Sequence, residues 1–168
     1  GPVLIDLHTH STASDGTEPP AVVVAQAVAA GLDVVALTDH DTTLGWDEAA
    51  GAARHHGIRL VPGIEVSCSR YHESIHLLAY LPDPSHAALV DELERARRSR
   101  DTRLDAMVAK MAADGIPVTI EEVRAQVEPG ATPGRPHIAD ALVASGVVAH
   151  RDEAFARWLG GCSPYYVE

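Results

Sequence analysis

At 168 residues the chain has room for one ordinary domain with a sizeable core. Its 46% hydrophobic content fits a globular protein, and no apolar run is long enough to cross a bilayer. A formal net charge of −11 argues against a basic surface for duplex nucleic acid, so neither duplex nor membrane is expected as a partner. The start lacks the charged-then-apolar pattern of a secretion leader. Cys68 and Cys162 form neither a zinc-type pair nor a disulfide framework, which suits a cytoplasmic location.

The first informative stretch is Leu4-Ile5-Asp6-Leu7-His8-Thr9-His10-Ser11, followed by Asp15-Gly16. Val3, Ile5 and Leu7 alternate with smaller or polar residues, as in a short strand. The strand ends in two histidines at an interval of two, which points both imidazoles to one side. Gly16 allows the following loop to turn tightly. Pro19-Pro20 opens a helix over 21–30, closed by Gly31. The β-branched run 33–38 predicts a second strand, ending in Asp39-His40-Asp41. A second helix is expected over 45–56, with Gly57 at its end. Residues 58–66 predict a third strand carrying Glu65 and interrupted by Pro62-Gly63. Residues 74–80 predict a fourth, carrying His76. Strand alternating with helix is the pattern of an α/β fold with a parallel sheet.

The texture changes at Pro82-Asp83-Pro84. Helix is expected over 85–114, with an apolar face at Leu89, Leu93, Ala96, Leu104, Met107, Val108 and Met111. The charge run Glu92–Arg103 reads as a solvated helix face. Shorter helices are expected over 121–127, 136–144 and 152–159, with a Pro-Gly loop at 129–134. A boundary therefore falls near residue 82, between a sheet-bearing part (1–82) and an all-helical part (83–168).

Six candidate ligands lie in the first part: His8, His10, Asp15, His40, Glu65 and His76. Most sit at or late in predicted strands, the rim where parallel sheets build their sites. Nitrogen and carboxylate donors suit manganese, zinc or iron more than calcium. Six ligands exceed the needs of one tetrahedral ion, so a cluster of two or three divalent metals is expected. Such a cluster can clamp a phosphoryl group and activate water. Asp6, Asp39 and Asp41 are placed to orient the imidazoles. His55, His56, His72, His86 and His150 read as solvated, and Cys68 as a small buried residue.

Four segments carry a family resemblance: Ile5-Asp6-Leu7-His8-Thr9-His10-Ser11, Leu37-Thr38-Asp39-His40-Asp41, Gly63-Ile64-Glu65-Val66-Ser67 and His76-Leu77-Leu78-Ala79-Tyr80. With Gly134-Arg135-Pro136-His137 and Pro164-Tyr165-Tyr166-Val167, they resemble the polymerase and histidinol phosphatase (PHP) domain, in its stand-alone nucleotide phosphoesterase form. The resemblance implies a distorted seven-stranded β/α barrel with a helical arm inserted after the fourth strand. It implies two or three divalent ions and hydrolysis of phosphate esters of nucleotides. By position, His8 and His10 would hold one ion, Glu65 would bridge to a second with His76, and Asp15 with His40 would hold a third. Arg135 and His137 would reach the substrate phosphate, with His137 a proton donor to the leaving group.

Three further ligands of the family pattern fall beyond Glu168. Only about four strands are visible, too few to close a barrel. The expectation is an N-terminal portion of a longer parent, with a C-terminal half supplied by that parent or by another chain. The expected partner is a small phosphorylated substrate (AMP, a nucleoside 3′,5′-bisphosphate or an oligonucleotide 5′ end); competing turnover assays with histidinol phosphate separate this from histidinol-phosphate phosphatase, and elemental analysis with activity separates it from a non-catalytic metal-binding module.

Overall fold

The structure, a computed structural model, describes residues 1–167. Strand β1 is Ile5–Thr9, followed by helix α1 Pro20–Ala29, β2 Val34–Leu37, α2 Trp46–His56, β3 Arg59–Arg70 and β4 Glu73–Tyr80. The helical part comprises α3 Ala87–Ala113, α4 Ile120–Arg124, α5 Arg135–Ala144 and α6 Arg151–Ala154, which runs into a π-helical turn over Phe155–Leu159. No helix among the described residues is long and apolar enough to cross a membrane.

The sheet order is β1-β2-β3-β4. The first two pairings are parallel, as expected, but β4 returns antiparallel to β3 as a long hairpin. Only two residues, Tyr71 and His72, join β3 to β4, and a connection that short permits only a hairpin. Both take positive φ at the turn. Four strands, not seven, are formed by the described residues.

Strand β3 also runs straight through Pro62-Gly63, which the sequence suggests is an interruption. Pro62 is the last partner of β2, and Gly63 is the first partner of β4, so the proline falls at the changeover between ladders. There its missing N–H costs little. A Cβ on Gly63 would come within 2.9 Å of Thr38 Cγ2 and 3.0 Å of the Ala79 carbonyl, so glycine permits the close crossing.

The sheet curls. Tyr80 on one edge strand donates from its hydroxyl to the Leu7 carbonyl on the other, at 2.8 Å. Strand β1 slips register between Asp6 and Thr9, a bulge at the first histidine. Bulges of this kind re-aim side chains next to active sites. Val3, Leu4, Ile5, Leu7, Ile75, Leu77 and Leu81, in or next to the two edge strands, are exposed apolar residues.

Two hydrophobic clusters form. A small one packs Val24, Leu37, Ala49 and Ala53 between the first helices and the sheet. A larger one, around Leu104, Met107, Met111, Val123, Ile138, Leu142 and Leu159, holds the helical part together. The apolar positions expected on the long helix are largely its buried face. Cys68 is half-buried rather than buried.

The two parts are tied by a buried ion pair. Arg100 of α3 donates from Nε to Asp41 Oδ2 at 2.8 Å, with the Asp41 side chain fully buried and that of Arg100 11% exposed. Arg100 also donates to Ser67 Oγ at 3.0 Å, and Arg97 donates to the Asp41 carbonyl at 2.7 Å. The charge run is thus solvated on one side only. Removing one member of a buried pair strands the other charge. Arg100→Ala is therefore expected to destabilise the chain by about 3 kcal/mol in urea unfolding. A loss within error of zero would show that the pair does not join the two parts.

Candidate metal centre

All six predicted ligands come together at one end of the sheet. They form three groups: His8, His10 and Glu65; His10, Asp15 and His40; and His40, Glu65 and His76, each with donor atoms within 4.8 Å of one another. Glu65 belongs to two groups and uses a different oxygen for each. Its Oε1 meets His8 Nε2 and lies 3.4 Å from His10 Nε2. Its Oε2 lies 2.6 Å from His76 Nδ1 and 3.1 Å from His40 Nδ1. His40 Nε2 is 3.2 Å from Asp15 Oδ2. His10 and His40 stack, with ring centroids 4.5 Å apart.

The local sequence explains the convergence. The histidine bulge ends β1, and the chain then turns back sharply. A Cβ on Gly16 would sit 2.5 Å from the His10 carbonyl, so only glycine lets the loop fold close enough to bring Asp15 under the imidazoles. Asp39 holds this loop. It accepts from the Ser11 N–H, the Ser11 hydroxyl and the Ser14 hydroxyl, each at 2.7 Å. Residues 39–41 pair with Glu65 as a short parallel bridge, with Asp41 N–H to the Glu65 carbonyl and Glu65 N–H to the Asp39 carbonyl, both at 3.1 Å. That bridge sets His40 beside Glu65. Asp41, at φ 52°, accepts from the Ser67 N–H and hydroxyl.

Asp6, Asp39 and Asp41, expected to orient the imidazoles, hydrogen-bond elsewhere. Asp6 accepts from the His8 N–H, and the other two clamp loops. Their effect on the ligands runs through the backbone.

The electrostatics favour ionised carboxylates. Burial pushes the Glu65 carboxyl upward, but the surrounding imidazoles, led by His40, outweigh it and hold it below the usual carboxylate range. Asp15 behaves alike: burial opposes ionisation, and the His40 hydrogen bond, His10 and Arg100 hold its carboxyl far below the usual range. Burial, reinforced by His40, keeps the His10 imidazole below its ordinary value, against the pull of Asp15 and Glu65. Burial raises Asp39, against the serine hydrogen bonds.

The donor set fits divalent cations. His8 Nε2 and His10 Nε2 approach to 3.2 Å. Donors around one ion with bonds of about 2.0–2.1 Å lie roughly 3.3 Å apart, which is the spacing here. His10 Nδ1 and His40 Nδ1 are buried without a hydrogen-bond partner among the described residues. His40 Nδ1 is close to Glu65 Oε2 in distance but not aligned as a hydrogen bond, so the pair is better served by a cation between them. A neutral imidazole has one lone pair to give. His10 and His40 each appear in two groups, so these six residues cannot fill three complete groups at once.

Arg135 and His137 lie apart from the six. Arg135 donates to the Leu159 carbonyl at 2.7 Å and lies over the Tyr166 ring, on the wall of a cavity that His76 also lines. His137 is 3% exposed, and its Nδ1 accepts from the Gly134 N–H at 2.9 Å, closing the first turn of α5. The cap occupies His137 Nδ1 only, and His137 also lines an open pocket with Asp140 and Arg151. Arg151, not singled out in the sequence, grips Asp140 with two bonds of 2.7 Å and donates to the Asp15 carbonyl at 2.8 Å. It thereby pins the Asp15 loop to the helical part. Nothing in its local sequence distinguishes it from any other exposed arginine.

The PHP domain profile matches residues 6–97. The chain belongs to the PHP domain family. Among similar proteins, a 5′-3′ exoribonuclease of Haemophilus influenzae is 38% identical over 92% of this chain and 56% of its own length. A 3′,5′-nucleoside bisphosphate phosphatase of Chromobacterium violaceum is 37% identical over 97% of this chain and 57% of its own. A Bifidobacterium adolescentis structure assigned as a metal-dependent phosphoesterase superposes with a TM-score of 0.92 and 42% identity, covering all of this chain and 59% of that one. The chain thus spans somewhat over half the length of these PHP relatives.

Burial holds the His137 imidazole below its ordinary value, and its Nδ1 must stay unprotonated to accept from Gly134. The folded state then binds fewer protons than the unfolded one, whose histidine titrates near ~6.5. Stability from this group is complete above that value and falls as the pH drops through it. In metal-free protein, thermal scans between about pH 7 and 5 are expected to show a falling Tm, with a shallower fall in His137→Asn. Equal slopes would remove the proposed cap from the pH response.

Proposed function

We propose that this chain carries the metal-binding part of a metal-dependent phosphoesterase that acts on phosphate esters of nucleotides. The observation that carries the reading is Glu65, one carboxylate shared between two imidazole pairs through its two oxygens. The names of the similar proteins support the substrate class: an exoribonuclease and a nucleoside bisphosphate phosphatase both act on nucleotide phosphates.

In this reading His8 and His10 hold one ion, Glu65 bridges to a second held by His76, and Asp15 with His40 holds a third, so that each imidazole is used once. Manganese, zinc or iron fits the donors. Bound divalent ions polarise phosphoryl oxygens and lower the pKa of water. The chain's own contribution is to hold the Asp15 and Glu65 carboxyls low and to fix the spacing of the donors before substrate arrives. Arg135, on the shared cavity wall, offers a guanidinium fork to a substrate phosphate. His137 is proposed beside it as a substrate-facing residue and proton donor to the leaving group, its Nδ1 being taken by the Gly134 N–H.

Residues 1–82 are proposed as barrel strands and 83–168 as the inserted arm. The exposed apolar edge strands are the proposed seat for the remaining strands and ligands. The greater length of the similar proteins and the deficit of lone pairs in the cluster both support this. A cytoplasmic setting accords with two free cysteines.

Manganese added to metal-free protein is expected to raise Tm, by about 2.7 kcal/mol of stability at 100-fold excess over Kd. Glu65→Gln is expected to bind fewer ions by elemental analysis than His76→Ala, because it serves two groups. Equal stoichiometry in the two variants would refute the bridging role. Hydrolysis of nucleotide monophosphates and bisphosphates, in protein carrying the whole barrel, is expected to fall at least about 100-fold in Asp15→Ala and His40→Ala. Unchanged turnover would overturn the ligand assignment.

A further inference from the structure

Asp15 is gripped twice. Its side chain belongs to a ligand group, with Oδ2 3.2 Å from His40 Nε2. Its carbonyl accepts from Arg151 Nη1 at 2.8 Å, across 136 residues of sequence. The same guanidinium donates from Nε and Nη2 to the two oxygens of Asp140, each at 2.7 Å. Asp140 lies on α5, the helix that opens with Arg135 and carries His137. One side chain thus joins the backbone of a metal ligand to the helix of the substrate-facing residues. A second tie runs alongside: the Thr132 N–H, just before α5, donates to the Ala13 carbonyl at 2.9 Å. Arg151, Asp140 and His137 line one open cleft with Thr12, Gly16 and Thr17 of the metal loop.

Arginine suits this joint where lysine does not. A planar fork gives two parallel bonds to a carboxylate and keeps a third donor in a fixed direction, whereas an ammonium has no fixed plane. The two side chains of the pair are 27% and 26% exposed. A pair so open to water adds little to stability. What it contributes is position. The Ser14 hydroxyl fixes the loop to Asp39 just before Asp15, at 2.7 Å, and Arg151 fixes it to α5 at Asp15 itself. The Asp15 side chain then has little backbone freedom with which to leave His40.

We propose that Arg151 and Asp140 are positioning residues for the reaction: they lock the ion site at Asp15 and His40 to the helix that carries Arg135 and His137. This rests on the phosphoesterase reading above and adds a coupling between its metal and substrate sides. Neither residue belongs to the three donor groups, so each acts through another. Coupling between two sites is reciprocal. An ion on Asp15 steadies α5, and cutting the joint weakens that ion.

The test is manganese titration by calorimetry, with hydrogen exchange of the α5 amides read before and after loading. In wild type, manganese is expected to slow exchange in α5 at least about threefold. Arg151→Met is expected to weaken one ion at least about tenfold, to leave the others as they are, and to remove the slowing in α5. Asp140→Asn is expected to do the same to a smaller degree, because the carboxamide keeps one acceptor. Arg151→Lys is expected to recover only part of the lost affinity, since the charge returns without the fork. Arg151→Met added to Asp15→Asn is expected to cost nothing further, because both act on the same ion. Metal-free Arg151→Met is expected to melt near wild type. An Arg151→Met protein that binds manganese like wild type overturns the inference, as does one that loses every ion equally with a lowered Tm, the mark of a purely structural pair. Neither readout needs turnover. Wild type that binds manganese without slowing in α5 overturns the coupling alone. Wild type that binds none overturns the phosphoesterase reading and the coupling with it.

Discussion

Glu65 is the residue around which the site is organised. A nearly buried carboxylate among four imidazoles is tenable only if positive charge meets both of its oxygens. The four imidazoles supply part of it and hold the carboxyl below its usual range. The contacts of 2.6–3.4 Å between these donors are a spacing that would also suit atoms around shared cations. The rest of the fold supplies the work of holding these groups together before any ion is bound.

That work is done by two further buried aspartates. Asp39 clamps the loop after β1 through two serines, and Asp41 clamps β3 and the long helix through Ser67 and Arg100. Each sits next to a ligand in sequence but bonds away from it. The effect is to fix backbone, so that His10, Asp15 and His40 have little freedom left to relax apart. Arg151 adds a third tie, from the helical part to the Asp15 carbonyl. Ligand geometry is thus set by both parts of the chain, although all six ligands belong to one.

The curled sheet makes this possible. Tyr80 reaching Leu7 shows that the two edges approach each other at one end, which concentrates strand termini there. The same curl leaves apolar residues of the edge strands uncovered. Curvature that brings ligands together and exposure of the sheet edges are two results of one geometry, since four strands bend without closing.

Much of the site was legible in the sequence. His8-x-His10, His40 between two aspartates, Glu65 and His76 sit at strand ends, and strand ends of one sheet share a rim whatever the details of packing. Composition and spacing also determined the helices, with their proline starts and glycine stops, because those signals are local. What local signals could not carry were contacts between distant segments. Asp39 and Asp41 look like ligand-orienting groups until the serines and Arg100 arrive from elsewhere. The arginines of the long helix recur every third residue, at 97, 100 and 103, which hints at one face, but solvated runs do the same. Nor does the sequence show that His137 caps its own helix through Nδ1, since that bond forms only once the helix is packed. Sequence determined which side chains could serve as ligands, because ligand chemistry is intrinsic to the residue. Tertiary structure alone decided which charges were neutralised and which were left facing the cavity, because burial and pairing are properties of the folded neighbourhood.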